Sequence, residues 1–236
     1  MALDSITLYH LLRELRPQLI GTRLDRIAQP EKEEIHLHLR SPGRNMRLLL
    51  NASSTQARLH LTEHSKRNPA TAPMFCMILR KHLESGKLID LRQNNLERII
   101  TLVIQNYNER GDLQNYHLHL EIMGKHSNLI LVNPETNTIL DGIKRYSHIV
   151  SRHREVLPGK TYLPPPPQEK LDPVFQEEIW VQHVFQQDLN KKIVSILLDT
   201  FSGMSPELAR EIVARAGLEE NTILDNCGEI DLSRLY

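Results

Sequence analysis

The chain has 236 residues, two cysteines and a formal net charge of zero. That length can bury one large or two modest cores. Cys76 and Cys227 exclude both a disulfide framework and a four-cysteine zinc site, and they point to a reducing compartment. The neutral total conceals an asymmetry: residues 1–168 carry 23 Lys and Arg against 16 Asp and Glu, whereas residues 169–236 carry 6 against 13.

The start, Met-Ala-Leu-Asp-Ser, lacks a basic-then-apolar leader, and no apolar run approaches the ~20 residues of a membrane helix. A soluble cytoplasmic chain without a membrane partner is expected. Asp4 precedes an apolar helical pattern at Leu8, Leu11, Leu12 and Leu15, with Gly21 at its exit. Strand-like runs follow at Thr22–Gln29, Glu34–Arg40, Arg47–Asn51 and Ala57–Leu61, with a turn at Ser41-Pro42-Gly43. Arg40, Arg44, Arg47 and Arg58 stand in a stretch without a single acid, compatible with binding to a phosphate backbone. Pro73 suits the first position of a helix running to Glu84 and closed by Ser85-Gly86. Cys76, inside Met-Phe-Cys-Met-Ile-Leu, reads as a buried small hydrophobe.

Strands resume at Lys87–Arg92 and Arg98–Tyr107, and then comes the stretch that organises the rest. From Tyr116 the pattern alternates: Tyr116, Leu118, Leu120 and Ile122 on one face, His117, His119, Glu121 and Met123 on the other. Gly124 to Ser127 reads as a turn, and Leu129 to Val132 as the returning strand. Glu121, Met123, Lys125 and His126 are expected to form an open polar ledge. A short strand at Thr138–Leu140 leads into a basic loop over 141–160 with Lys144-Arg145 and Arg152-His153-Arg154. Pro164 to Pro167 forms a spacer. Helical patterns then occupy Val174–Asp188, Lys191–Thr200, Pro206–Ala216 and a partial helix near Thr222, with no terminal element expected at Leu235-Tyr236.

These elements predict an α+β first domain over 1–170, a mainly antiparallel sheet with two helices, and an all-α second domain over 171–236. In the latter, Phe201-Ser-Gly-Met-Ser-Pro-Glu-Leu-Ala-Arg-Glu-Ile resembles a helix-hairpin-helix. Its second helix can hold a phosphate at its N-terminus or serve as a structural docking element; Glu207, Glu211, Glu219 and Glu220 make the surroundings acidic. His36-Leu-His38 and His117-Leu-His119 each put two imidazoles on one strand face, but no third ligand completes a metal motif. No phosphate-binding glycine loop, nucleotide fingerprint or catalytic triad signature is present.

Three runs together resemble the NFACT family, whose bacterial members often carry the label fibronectin-binding protein A. They are Pro73-Met-Phe-Cys-Met-Ile-Leu-Arg-Lys-His-Leu-Glu, Leu120-Glu-Ile-Met-Gly-Lys-His-Ser-Asn-Leu-Ile-Leu and Arg152-His-Arg-Glu-Val-Leu-Pro-Gly. The resemblance spans essentially the whole chain and implies an NFACT-N domain followed by the helix-hairpin-helix, with a coiled coil and an NFACT-R domain expected beyond a truncated end. It also implies an N-terminal fold resembling that of formamidopyrimidine-DNA glycosylases. That chemistry needs an N-terminal Pro amine followed by Glu, and this chain has Ala2-Leu3-Asp4.

Functionally, the resemblance implies a non-enzymatic ribosome-associated quality control factor without cofactors or metal. Such a factor binds tRNA, mainly tRNA-Ala, and the large ribosomal subunit that still holds a peptidyl-tRNA, promoting C-terminal alanine tailing of the stalled chain. The tRNA-engaging positions it implies are Asp4, the pair Glu97-Arg98 and Glu121-Ile122-Met123, with Glu97 standing where the family has Asp. Arg98 can contact phosphate or a base edge, and Glu121 can accept from a base amino group. Arg80, Lys81, Lys125, His126, Arg152 and Arg154 are candidates for backbone contacts. The alternative implied by the family label is a fibronectin-binding adhesin.

Overall fold

The computed structural model describes residues 3–149, 154–166, 170–173 and 177–236. The chain divides into two compact units. One holds Leu3, Thr7–Asn94 and Arg98–Pro166; the other holds Asp4–Ile6, Asn95–Glu97 and the chain from Lys170 to Tyr236.

The first unit is built on nine strands: β1 (Arg23–Glu31), β2 (Glu34–Ser41), β3 (Arg44–Asn51), β4 (Arg58–Leu61), β5 (Lys87–Gln93), β6 (Ile99–Tyr107), β7 (Leu113–Glu121), β8 (Asn128–Asn133) and β9 (Thr138–Gly142). They form one antiparallel sheet in the order β4-β3-β2-β1-β5-β6-β7-β8-β9. Every junction joins sequence neighbours except β1–β5, which α2 (Met74–Leu83) spans together with the first four strands' meander.

Alternation decides the core face. Ile35, Leu37 and Leu39 on β2 meet Leu50, Leu48 and Met46 on β3, and Ile100, Leu102 and Ile104 on β6 meet Leu120, Leu118 and Tyr116 on β7. All belong to one buried cluster with Leu8, Leu12, Leu15 and Leu19 of α1 (Ser5–Leu19) and Phe75, Cys76, Leu79 and Leu83 of α2. A fully buried Leu contributes roughly 1.5–3 kcal/mol, so this cluster dominates the unit's stability.

The exit of α2 runs through Ser85-Gly86, as expected, with the two residues sharing the work. Ser85 takes the left-handed conformation, φ 72°, while Gly86 supplies space. A Cβ at Gly86 would lie 2.9 Å from the carbonyl oxygens of Leu83 and Gln105. Pro73 is the N-cap, and the helix starts at Met74.

The described residues between 141 and 160 form no free loop. Tyr146 bridges Val156, Thr138 bridges Thr161, and the strap lies on the second face of β8 and β9. It closes a small core of Ile130, Val132, Ile139, Val156 and Tyr162. Gly142 permits this, since a Cβ there would sit 2.7 Å from Val156 Cγ1.

The second unit is helical: α3 (Glu177–Phe185), α4 (Ile193–Thr200), α5 (Pro206–Arg215) and α6 (Glu229–Leu235). Trp180 stacks on Phe201 with centroids 5.0 Å apart, and Ile193, Ile196, Leu197, Ala209 and Val213 close the core. In place of a partial helix near Thr222 there is a 3-10 turn at Leu224–Asn226, and α6 is a terminal element the sequence reading did not anticipate. Leu232 and Leu235 bury it, and the Gly228 amide donates to the Asp231 carboxylate at 3.0 Å.

Candidate nucleic-acid interface

At one end of the β6–β7 pair, strand β7 stops at Glu121 and a 3-10 turn over Gly124–His126 carries the chain into β8. The turn is closed by the Met123 amide donating to Ser127 Oγ at 2.9 Å, and by the Ser127 amide donating to the Gly124 carbonyl. Met123 is half-buried, while Lys125 and His126 are exposed. Across the strand pair, the Ile122 amide donates to the Arg98 carbonyl at 2.8 Å, so Arg98 stands beside this turn. Arg98 is half-buried, and its guanidinium has no hydrogen bond or ion pair among the described residues. Ile122 itself points into the first core and is fully buried.

Glu121 departs from the expected open ledge. Its side chain is 0% exposed, and Arg154 grips it with both terminal nitrogens, one at 2.8 Å. Tyr162 adds a hydroxyl donor at 3.0 Å, and Arg154 also donates to the Leu163 carbonyl at 2.8 Å. The strap over this face covers what alternation alone leaves open. Burial opposes the Arg154 charge, but the Glu121 carboxylate outweighs it and holds the guanidinium pKa above its ordinary value. Burial and the same carboxylate push the Tyr162 phenol up. Arg154, expected as a phosphate contact, is thereby committed inward.

His119 is part of the same buried layer. It stacks on Tyr162 with centroids 4.4 Å apart, and its Nδ1 lies 2.9 Å from Thr101 Oγ1. Burial, and after it the neighbouring His117, Arg92 and Arg154, lowers its pKa to about 3. The imidazole is neutral at pH 7. Among the described residues no group of three or more His, Cys, Asp or Glu could hold a metal ion.

Asp4 and Glu97 fall in the second unit, around the turn between α4 and α5. Ser205 Oγ donates to Asp4 Oδ2 at 3.1 Å and accepts from the Leu208 amide at 3.1 Å, capping α5. Gly203 has φ 79° and brings the turn against Leu96 and Ser5, 3.1 and 3.4 Å from where its Cβ would lie. Burial raises the Glu97 carboxyl above its usual range. With Asp4 linked to the cap and Glu207 in its first turn, the α5 N-terminus already faces carboxylate. That arrangement favours the structural role over phosphate capture.

The remaining basic candidates divide. Arg80 Nε donates to the Ile27 carbonyl at 2.9 Å, and Lys81 pairs with exposed Glu109 at 2.6 Å. In the strap, Lys144 reaches Glu33 at 3.2 Å and the Ala52 carbonyl at 2.7 Å, and Arg145 clasps buried Asp141 at 2.7 and 2.8 Å. Arg152 lies outside the described residues. What gathers at one place is Arg98, Met123, Lys125 and His126, held in position by the buried Glu121–Arg154 pair.

The family model described as NFACT N-terminal and middle domains matches residues 4–236. The chain is 40% identical over 227 residues to an Rqc2 homolog, RqcH, of Bacillus subtilis, covering 95% of this chain and 39% of that protein. It is 28% identical over 132 residues to the human ribosome quality control complex subunit NEMF, covering 56% of this chain and 11% of that protein. Among solved structures, the N-terminal domain of fibronectin-binding protein PavA from Streptococcus pneumoniae superposes with TM-score 0.82 at 35% identity, covering 89% of this chain and 77% of that one. The N-terminal part of a fibronectin/fibrinogen-binding protein from Streptococcus suis gives 0.85 at 33% identity, covering 99% and 83%. The chain spans 39% of its Bacillus relative's length. The α+β antiparallel architecture is that of these solved relatives, and the chain belongs to the NFACT family.

Proposed function

We propose that this chain is the RNA-engaging part of a ribosome quality control factor. It binds tRNA, mainly tRNA-Ala, and the large ribosomal subunit that still holds a peptidyl-tRNA, and so promotes alanine tailing of the stalled chain. Its work is binding and positioning, and the ribosome forms the peptide bond. The names and extent of the Rqc2 and NEMF relatives support the ribosomal setting.

The observation that carries RNA binding is the uncompensated Arg98 guanidinium beside half-exposed Met123 and the exposed basic turn Lys125-His126. A guanidinium, an apolar side chain and two backbone-contacting bases suit a splayed single-stranded loop better than a regular duplex. Glu121 and Ile122 act by fixing this turn from beneath, and α4–α5, read as a helix-hairpin-helix, serves as a docking element around Asp4 and Glu97.

The test is a gel shift with tRNA-Ala and an unrelated tRNA, using wild type and Arg98→Ala. Binding that prefers tRNA-Ala and is lost in Arg98→Ala supports the reading. Equal binding of both tRNAs by both proteins refutes it. A second reading, fibronectin binding, is favoured by the names of the solved relatives. Capture of fibronectin by a chain that shifts no tRNA would replace the first reading with the second.

A further inference from the structure

The basic charge of the first unit is spent unevenly. In the strap, Lys144, Arg145 and Arg154 each meet a carboxylate. On β1–β3, Arg26 and Arg47 have no carboxylate partner among the described residues, Arg40 reaches only exposed Asp25 at 3.7 Å, and Arg44 donates to the Gln18 side chain of α1 at 3.0 Å. Register stacks these groups. Arg26 on β1 stands opposite His38 on β2, which stands opposite Arg47 on β3; in a neighbouring row Arg23 faces Arg40. Like charges directly opposite across strands cost stability, so the Arg23–Arg40 pair is a loss to the fold alone.

The row lines an open groove of about 740 Å³ on the face opposite the core. Arg47 is already oriented: its Nη1 donates to the carbonyls of Glu63, at 3.2 Å, and His64, while its buried Nε has no partner. Holding the side chain in place beforehand lowers the entropy lost on binding.

We propose that this groove binds the phosphate backbone of RNA. The inference rests on the reading of the chain as an RNA-binding factor, at a site separate from the Arg98 turn. Arg26 on β1, Arg40 on β2 and Arg47 on β3 set guanidiniums on three adjacent strands, and since neighbouring strands lie ~4.8 Å apart the basic face spans about 10 Å, more than a single phosphate group needs. Arginine's planar fork matches phosphate oxygens in pairs. The lining contains no Phe, Tyr or Trp, which fits contact with the backbone and not stacking of bases. Asp25 and Glu63 are the carboxylates at the rim. A probe sits within the groove, because His38 titrates below its ordinary value. Burial is the first cause; Arg47, Arg26 and His36 add to it, and Asp25 opposes it.

The test is fluorescence anisotropy of labelled short oligouridylate and of tRNA across salt concentration, with wild type, Arg26→Gln/Arg40→Gln and Arg98→Ala. Each single-strand phosphate neutralised by a cationic side chain contributes about 0.7 to the log–log salt slope through counterion release, so the double variant should lower it by about 1.4 on oligouridylate and lower it on tRNA as well. Arg98→Ala should lower the oligouridylate slope by no more than its own single contact, about 0.7. Wild-type slopes in the double variant, as an acidic-protein surface would give, overturn the proposal; so does absence of oligouridylate binding by wild type. If the double variant lowers the slope while Arg98→Ala keeps tRNA preference, the Arg98 reading fails and the groove stands. A readout independent of any variant is the His38 imidazole titration by NMR. Oligouridylate should raise its midpoint, and an unmoved midpoint at saturating RNA overturns the proposal.

Discussion

Removing Arg154 tests whether Glu121 is structural. In Arg154→Ala the Glu121 carboxylate stays fully buried with one remaining side-chain donor, the Tyr162 hydroxyl at 3.0 Å. Stranding one member of a buried ion pair costs about 3–5 kcal/mol. For a chain of this size about 2–4 °C of melting temperature accompanies each kcal/mol, so a fall of roughly 6–20 °C is expected. Urea denaturation of wild type, Arg154→Ala, Glu121→Gln and the double variant closes a cycle. In the Glu121→Gln background no charge is stranded, and Arg154→Ala should cost at least about 1 kcal/mol less. The salt slope of RNA binding should not change, because Arg154 faces inward. A cost below about 1 kcal/mol, or one equal in both backgrounds, would refute the reasoning and return Glu121 to the list of groups available to a base.

Gly86→Ala should destabilise by more than about 2 kcal/mol, measured by urea melts, since its Cβ would meet two backbone oxygens at 2.9 Å that cannot step aside. Ser85→Gly should raise stability by roughly 1 kcal/mol by relieving φ 72°. His119 shapes the acid limb: its folded pKa of about 3 lies below the ordinary histidine value of 6.5 that it regains on unfolding. The unfolded chain therefore binds more protons in that window, and stability falls as the pH is lowered, by up to about 1.4 kcal/mol per unit. His119→Gln should flatten this slope between pH 6.5 and about 3, and an unchanged slope in denaturation series would assign the loss to other groups. Leu232→Ala, which leaves a cavity under α6, should cost about 2–5 kcal/mol by thermal melt.

Period alone made the core face legible. Tyr116, Leu118, Leu120 and Ile122 alternate with polar residues and all are buried in the main cluster. The hairpin at Gly124–His126, the two helices of the first unit and the buried Cys76 were likewise readable from local composition. Helix α6 was not, because seven residues carry too little periodicity and its burial comes from distant partners in the second core. The clustering of Asp4 and Glu97 with the α4–α5 turn was equally invisible, since no local rule links positions so far apart in sequence.

Sequence by itself determined the strand faces, the basic bias of the first 168 residues and the presence of Arg98 at the start of a strand. Only the tertiary structure decided which charges are available. Alternation says that Glu121 points away from the main core, but whether that direction is solvent depends on a strap more than thirty residues later, packed there because Gly142 leaves room for Val156. Lys144, Arg145 and Arg154 of the same strap are neutralised by Glu33, Asp141 and Glu121, whereas cross-strand register sets Arg26, His38 and Arg47 side by side without carboxylate partners. Charge counts are a property of the chain; compensation of charge is a property of distance, and distance exists only in the fold.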